Sequence, residues 1–510
     1  MSEPSTQKGT SAGKGLVFIT AAKLYFIVTA YAVQFLLPRF LGSPEKFGFF
    51  RTAMSLVSIL NNVLIAATVQ TLSKKVSESE EHAPHALRQG LLLQLVWGGV
   101  LGLMLFALAP VIAEQGMHNH SFTQLLRVSS IVVIAYALYA ALVGSLNGRR
   151  MFTTQARLDM TFSTLRSIGI LGAAALGFGA LGAFVGFAAS AALILVIALF
   201  VVGTGRSGER TPWKTWIAFM TPLWIYQLCL NFILQGDILV MTSTVTDMAE
   251  HAGLIHDEAT RAANRLSGFY GAAQTFAFVP YQLILSVTFV VFPLVAKATS
   301  GGDVELARTT IRRAMRFSWL VLLSMAAPIA GSARGVLRIA YTADYLVADQ
   351  ALSILVLGLV MFALFVIAAT VLSGSGRVFE SAAIAVVSLA VLMLSVYFFI
   401  RHAGTDLPAL TAAACGTTLG ATLAFVLAGI LVYRRLGAFL PAASVVRGVI
   451  AGAVGAGVAH VVPHESRITA ILALAAGFFA YGITLVVVQE IPKSELQNVR
   501  ALILKRLGRA

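Results

Sequence analysis

The sequence predicts an all-α, polytopic membrane protein with about 14 transmembrane helices, and three observations carry the prediction. Charge is scarce, apolar runs of spanning length recur from end to end, and basic residues collect on alternate sides of those runs. Of the 510 residues, 58% are hydrophobic and only 12% are charged. A soluble domain carries about 25% charge. No soluble core hides that much apolar surface, so lipid is part of the solvent. Cys229 and Cys415 both lie in apolar segments and suggest neither a disulfide framework nor a metal set.

A spanning helix needs about 20 mostly apolar residues. Such runs lie near 15–37, 47–70, 89–113, 122–144, 158–177, 180–203, 216–244, 267–296, 315–332, 351–373, 380–401, 409–433, 443–461 and 468–489. The fifth and sixth are joined by Gly177-Phe178-Gly179-Ala180-Leu181-Gly182. Reading that pair as one tilted helix would reverse the side of everything after it. The polar stretch 1–14 leads into a segment too long for a signal h-region, so no cleavable signal is expected.

Orientation follows from the basic residues. With the N-terminus in the cytoplasm, the inner side collects Lys8, Lys14, Lys74, Lys75, Arg88, Arg149, Arg150, Arg206, Arg210, Arg312, Arg313, Arg434, Arg435, Lys505 and Arg506, among others. The outer side keeps Arg39, Lys46, Arg51, Arg261, Arg265, Arg334, Arg338, Arg401 and Arg467. This bias puts both termini inside and accounts for most of the net charge of +15 without nucleic acid. The organisation read from these spans is a cytoplasmic tail (1–14), a six-helix bundle (15–203), a cytoplasmic linker (204–215), a second six-helix bundle (216–433), two further helices (443–489) and a basic cytoplasmic tail (490–510). The largest outer loop, about 245–266, is acidic. The stretch 298–314 reads as a short amphipathic helix on the inner face, and 494–510 as another.

The two bundles are related by an internal repeat. Phe47-Gly48-Phe49-Phe50 opens the second span and Ser267-Gly268-Phe269-Tyr270 the eighth, an offset of about 220 residues. Ala109-Pro110-Val111-Ile112 near the end of the third matches Ala327-Pro328-Ile329-Ala330 near the end of the ninth. Gly148-Arg149 after the fourth matches Gly376-Arg377 after the tenth. Six is even, so the halves enter the membrane from the same side. Two parallel bundles around a central cleft suit alternating access to a site near the midplane.

An ionisable group inside a span costs a few kcal/mol, and is a functional candidate by default. Lys23 lies roughly 12 Å into the first span at about 1.5 Å per residue, and Arg166 about as deep in the fifth, with Asp159 near that span's inner end. Arg127 lies near the outer end of the fourth. The N-terminal half is therefore net positive within the membrane and suited to an anion such as a phosphate. Two blander readings stand beside this: Arg127 snorkels to the outer surface, and Lys23 with Asp159 forms a structural ion pair. Asp237, in Gln235-Gly236-Asp237, is the deep carboxylate of the C-terminal half. It suits binding of H+ or Na+ as a coupling ion, unless it lies close enough to the outer surface to be solvated. Gln34, Asn61, Asn62 and Gln274 could hydrogen-bond a sugar or join helices to one another. The sequence has no phosphate-binding P-loop, nucleophile constellation or metal-ligand cluster beyond the weak His118-Asn119-His120. It reads as a non-enzyme without a cofactor.

Leu37-Pro38-Arg39-Phe40-Leu41-Gly42-Ser43-Pro44-Glu45-Lys46-Phe47-Gly48 resembles the turn after the first helix of polysaccharide flippases. Gly268-Phe269-Tyr270-Gly271-Ala272-Ala273, Val279-Pro280 and Phe292-Pro293 resemble the pattern of their eighth helix. In length, repeat and topology the whole chain is similar to the multidrug/oligosaccharidyl-lipid/polysaccharide exporter superfamily. The resemblance implies a flippase in the bacterial cytoplasmic (inner) membrane. Its substrate would be an undecaprenyl-diphosphate-linked oligosaccharide, moved to the outer leaflet for polysaccharide assembly. Membrane lipids and other polysaccharide-assembly proteins would be its partners. The cationic N-terminal half is what a diphosphate needs, with Lys23 and Arg166 as the residues expected to hold it and Arg127 as a further substrate-binding candidate.

Three alternatives stay open. Peptidoglycan-precursor (lipid II) flippases also have fourteen helices, but their second helix carries a Pro-Asn pattern where this chain has Val57-Ser58-Ile59-Leu60-Asn61-Asn62. Drug/cation antiporters of the superfamily usually have twelve helices. A membrane-embedded polysaccharide polymerase or ligase needs catalytic groups on a substantial outer loop, and the outer loops here are short.

Overall fold

The computed structural model describes residues 6–78, 81–208, 212–300 and 303–490. Arg210 and the surface helix expected at 494–510 lie outside the described residues. In chain order the helices are α1 (Thr6–Leu41), α2 (Pro44–Glu78), α3 (Ala83–Val111), α4 (Phe122–Gly148), α5 (Phe152–Ala175), α6 (Gly179–Val202), α7 (Trp213–His251), α8 (His256–Ser300), α9 (Val304–Gly331), α10 (Ala333–Ala340), α11 (Asp349–Gly374), α12 (Val378–Ala403), α13 (Pro408–Leu436), α14 (Ala442–Val461) and α15 (Arg467–Val487). A π turn extends α3, and a 3-10 turn leads into α11. All but α10 run for 20 residues or more. Among the described residues, 12 helices are long and apolar enough to cross a membrane. The long helices α5 and α8 fall outside that set, and α5 carries Arg157, Asp159 and Arg166 in its 24 residues.

The fifth and sixth spans are separate helices. Leu176 to Phe178 turn the chain, and Gly177 sits at φ +86°, where a side chain would be strained. Two expectations about loops need correction. The acidic outer loop shrinks to residues 252–255, because α7 continues to His251 and α8 starts at His256. Hydropathy falls there, yet Thr246, Ala249, Ala259 and Ala263 remain buried, so helix packing outlasts the apolar run. The stretch 298–314 is not a free surface helix. From Val304 it is the first turns of α9, capped by the Asp303 carboxylate, which accepts from Leu306 N at 2.9 Å. The buried stripe Ala307, Ile311, Met315, Ser318, Leu322 continues into the span without a break.

Packing gathers the chain into two compact units, Met1–Gly271 with Ile400–Ala409, and Ala272–Phe399 with Leu410–Ala510. In the first, α4 is the central helix, packing on α2, α3 and α6, while α1 lies along α5 and α7 along α2. In the second, α9 packs on α11, α14 and α15. The repeat pairs α4 with α11, and these are the most buried of the candidate spans.

The first unit also holds a contact between repeat-related glycines. A Cβ on Gly48 of α2 would stand 1.7 Å from Asn264 O and 2.5 Å from Gly268 N. A Cβ on Gly268 of α8 would stand 2.0 Å from Pro44 O and 3.2 Å from Gly48 N. The two backbones therefore touch, and only glycine fits at either position.

In the second unit the last two spans brace α9. Glu490, just past α15, is 2% exposed. Its carboxylate accepts from Arg316 Nε of α9 at 2.7 Å, Ser444 Oγ of α14 at 2.6 Å and Arg447 Nη1 at 3.3 Å. Burial alone raises the Glu490 carboxyl. The hydrogen bonds from Ser444, Arg316 and Arg447 outweigh burial and hold it below its ordinary 4.5. A carboxyl lowered on folding adds stability above the unfolded value and loses it as pH falls through the folded one. Glu490→Gln is therefore expected to lower the unfolding temperature at pH 7. It should also flatten the fall that the wild-type protein shows below about pH 4.5. The cost is about 2 kcal/mol, tempered because Arg316 and Arg447 keep 30% and 41% of their side-chain surface exposed. Equal melting curves for both proteins across pH 3 to 7 would contradict this role.

Candidate functional site

The candidate site of the first unit is built on the seam between α1 and α5, two helices that run side by side. Their facing positions are polar. Tyr25 Oη and Thr164 Oγ1 lie 2.8 Å apart, and the hydroxyls of Thr29 and Ser163 are hydrogen-bonded. Lys23, two residues before Tyr25 on α1, is exposed and within coulombic reach of Asp159 on α5. Asp159 Oδ1 accepts from Tyr139 Oη of α4 at 3.1 Å. The blander reading of Lys23 and Asp159 as partners thus has support, and the seam still keeps a net positive charge through Arg166.

Arg166 lies about two turns beyond Asp159. Its guanidinium stands over the Phe26 ring at 5.4 Å and the Phe187 ring at 5.5 Å, and it reaches the Tyr136 hydroxyl. Tyr136 in turn packs edge-on against Phe162 and Phe187. Rings on α1, α4 and α6 therefore hold one half-buried cation on α5. A planar guanidinium fixed this way keeps donors for a phosphate, and Lys23 adds a second positive charge on the α1 side of the seam. Hydroxyls of Tyr25, Thr29, Ser163 and Thr164 line the same seam.

A second polar cluster joins α2, α7 and α8. Asp237 is 1% exposed. Its Oδ2 accepts from Tyr270 Oη at 2.7 Å and its Oδ1 from Ile238 N at 2.8 Å. Around it, Ser55 Oγ donates to Gln235 Oε1 at 3.0 Å, and the hydroxyl of Thr242 meets Ser267 at 2.6 Å and Thr52 at 3.2 Å. Arg51, expected on the outer surface, is buried on α2, with its side chain against Gly271. The sequence offered one signal for it. It follows Gly48 by three residues, on a face that must stay in the helix contact.

The remaining candidates spread out. Asn62 donates to Asn231 Oδ1 at 2.8 Å and Asn231 donates to Gln227 O at 2.8 Å, so this pair joins α2 to α7. Asn61 is buried and Gln34 half-buried. Arg127 is exposed and stands over the Phe106 ring of α3 at 5.2 Å, away from the aromatic holder of Arg166. Gln274 is buried and belongs to the second unit. His120 Nδ1 lies 2.8 Å from Glu114 Oε1, with both side chains exposed. Among the described residues no group of three or more His, Cys, Asp or Glu could hold a metal ion.

Residues 12–299, more than half of the chain, match the polysaccharide biosynthesis protein family. No curated protein sequence matches the chain. Among solved structures, the fold is similar to a lipid II flippase MurJ in an inward closed conformation, with TM-score 0.74 and 14% identity, over 93% of this chain and 99% of that one. It is also similar to an inward-facing multidrug resistance MATE family transporter of the MOP superfamily, with TM-score 0.64 and 16% identity, over 84% of this chain and 98% of that one. A MOP superfamily transporter from Pyrococcus furiosus matches with TM-score 0.56 and 14% identity, over 85% of this chain and 99% of that one.

Proposed function

The chain belongs to the polysaccharide biosynthesis protein family, and on that footing we propose that it is a flippase for a polyprenyl-diphosphate-linked oligosaccharide in the bacterial cytoplasmic membrane. It works by alternating access, with both termini in the cytoplasm. The observation that carries this reading is the α1–α5 seam. There Arg166, held by Phe26, Phe187 and Tyr136, stands with Lys23 beside a row of hydroxyls. Two cations suit a diphosphate, and hydroxyls suit a glycan. The polyprenyl tail stays in lipid while the headgroup crosses. A lipid II-type substrate is the second reading, favoured by the 93% of this chain that aligns with the lipid II flippase structure. It asks the same of Lys23 and Arg166.

The test is genetic. Removing the chain from its host should leave the lipid-linked glycan in the inner leaflet and stop its polymer at the cell surface. Normal polymer with no accumulation would contradict the flippase reading. Arrest of peptidoglycan synthesis instead would select lipid II.

Asp237 is the proposed site of ion coupling, by H+ or Na+. Its two acceptor oxygens already meet Tyr270 Oη and Ile238 N, so a bound ion would exchange with existing hydrogen bonds inside a buried site. Asp237→Asn is expected to slow gradient-driven flipping by roughly tenfold, the scale of a modest coupling free energy, while leaving gradient-free exchange in place. Unchanged dependence on the proton or sodium gradient in Asp237→Asn would remove this role.

A further inference from the structure

Away from the α1–α5 seam, residues 203–208 after α6 lie as a strap across the first turns of α3. The strap is built into the fold. Arg206 N donates to Pro84 O at 3.2 Å. A Cβ on Gly205, which sits at φ +75°, would stand 2.2 Å from Pro84 O and 2.9 Å from Arg88 N. A Cβ on Gly208 would stand 2.4 Å from the His85 ring. Arg206 and Arg88 both line a small pocket beside these contacts. His85 and Gln89 line it too, with Leu92 and Trp213 at its rim.

Three features of this pocket go together. Among the described residues its charge has one sign: no carboxylate lines it, and neither Arg88 nor Arg206 has an ion-pair partner. It has spare hydrogen-bonding capacity, because His85 Nδ1 is buried with no hydrogen-bond partner among the described residues. Its rim is apolar and outward-facing, with Leu92 43% exposed and Trp213 41% exposed. A cationic pocket edged by an exposed indole and a leucine is the pattern of a membrane–water boundary, where tryptophan and basic residues meet headgroups. The charge distribution along the chain assigns this end to the cytoplasmic leaflet.

We propose that Arg88, Arg206 and His85 form a binding site for the phosphate of an anionic membrane lipid, with Trp213 and Leu92 against its glycerol and upper acyl region. A lipid held there fastens the strap, and with it the start of α7, to α3. This site is independent of the flippase reading, since no residue of the α1–α5 seam takes part in it.

The test is equilibrium binding of dioctanoyl phosphatidylglycerol to the purified full chain in a neutral detergent. Dioctanoyl phosphatidylcholine and inorganic phosphate serve as comparison probes. Each basic side chain near an anionic headgroup is worth about fivefold in affinity, so R88Q/R206Q should weaken phosphatidylglycerol binding by about thirtyfold. R88K/R206K, which keeps both charges, should stay within about threefold of wild type. That pair of variants separates lost charge from lost folding, and melting curves without lipid check it. Equal affinity in wild type and R88Q/R206Q would overturn the site. Equal affinity for phosphatidylcholine would overturn its anionic character. Displacement by millimolar inorganic phosphate would overturn the lipid as its source.

Discussion

Gly48→Leu is expected to prevent the first unit from assembling, with monodisperse protein lost from detergent extracts. The reason is the partner across the contact. A Cβ there would meet the Asn264 carbonyl oxygen at 1.7 Å and the Gly268 nitrogen at 2.5 Å, both backbone atoms that cannot rotate away. Relief requires α2 and α8 to separate. That also loosens the buried neighbours Phe47, Phe50, Phe269 and Tyr270. Overpacking a well-filled core costs about 1–3 kcal/mol where side chains can adjust, and a backbone overlap exceeds that range. Gly48→Ala should already lower the unfolding temperature markedly. Gly99→Ala is the control, because a Cβ at Gly99 of α3 meets nothing within 4 Å, and replacing a helical glycine by alanine gains up to about 1 kcal/mol. If Gly48→Ala and Gly99→Ala melt alike, the close crossing of α2 and α8 is wrong.

Arg166→Ala and Lys23→Ala are expected to abolish glycan flipping while the amount of protein in the membrane stays the same. A charge-assisted contact to phosphate is worth about 1.5–3 kcal/mol, roughly ten- to 150-fold in binding. Losing one cation from a pair that faces a diphosphate therefore removes most of the headgroup affinity. Arg166→Lys separates charge from shape. Lysine keeps the charge but not the planar group that lies over Phe26 and Phe187, so intermediate activity is expected. Phe187→Ala should act in the same direction and more weakly, because the guanidinium stays and only its placement loosens. A merely structural Arg166 would show the reverse pattern. Its alanine variant would lose stability, and flipping per folded molecule would be unchanged.

Much of this architecture was legible from residue order. Spacing of apolar runs located the long helices, and Gly177 marked the turn that separates α5 from α6. The repeat singled out Gly48 and Gly268, and these are the glycines whose backbones touch. What stayed hidden was the direction of side chains and the reach of packing past the apolar runs. Arg51 looks like an outer-loop charge by position, but α2 begins at Pro44 and carries it inside. Asp237 could have been solvated on hydropathy alone, and whether a mid-helix carboxylate faces water or Tyr270 is settled by helix rotation. Arg127 and Arg166 read alike in sequence. One stands exposed over a single ring, the other between two rings and a tyrosine on three neighbouring helices. The length of α9 was missed because its first turns are charged outside and apolar inside, which imitates a helix lying on a surface.

The most direct test of the central claim is flipping in proteoliposomes. The purified chain is reconstituted with a fluorescent polyprenyl-diphosphate oligosaccharide, and the fraction accessible to an external quencher is followed with time. The expected result is protein-dependent equilibration of the lipid between leaflets, absent in Lys23→Ala and in Arg166→Ala. No equilibration with wild-type protein, together with transport of a cationic dye, would contradict the account and make the chain a drug antiporter.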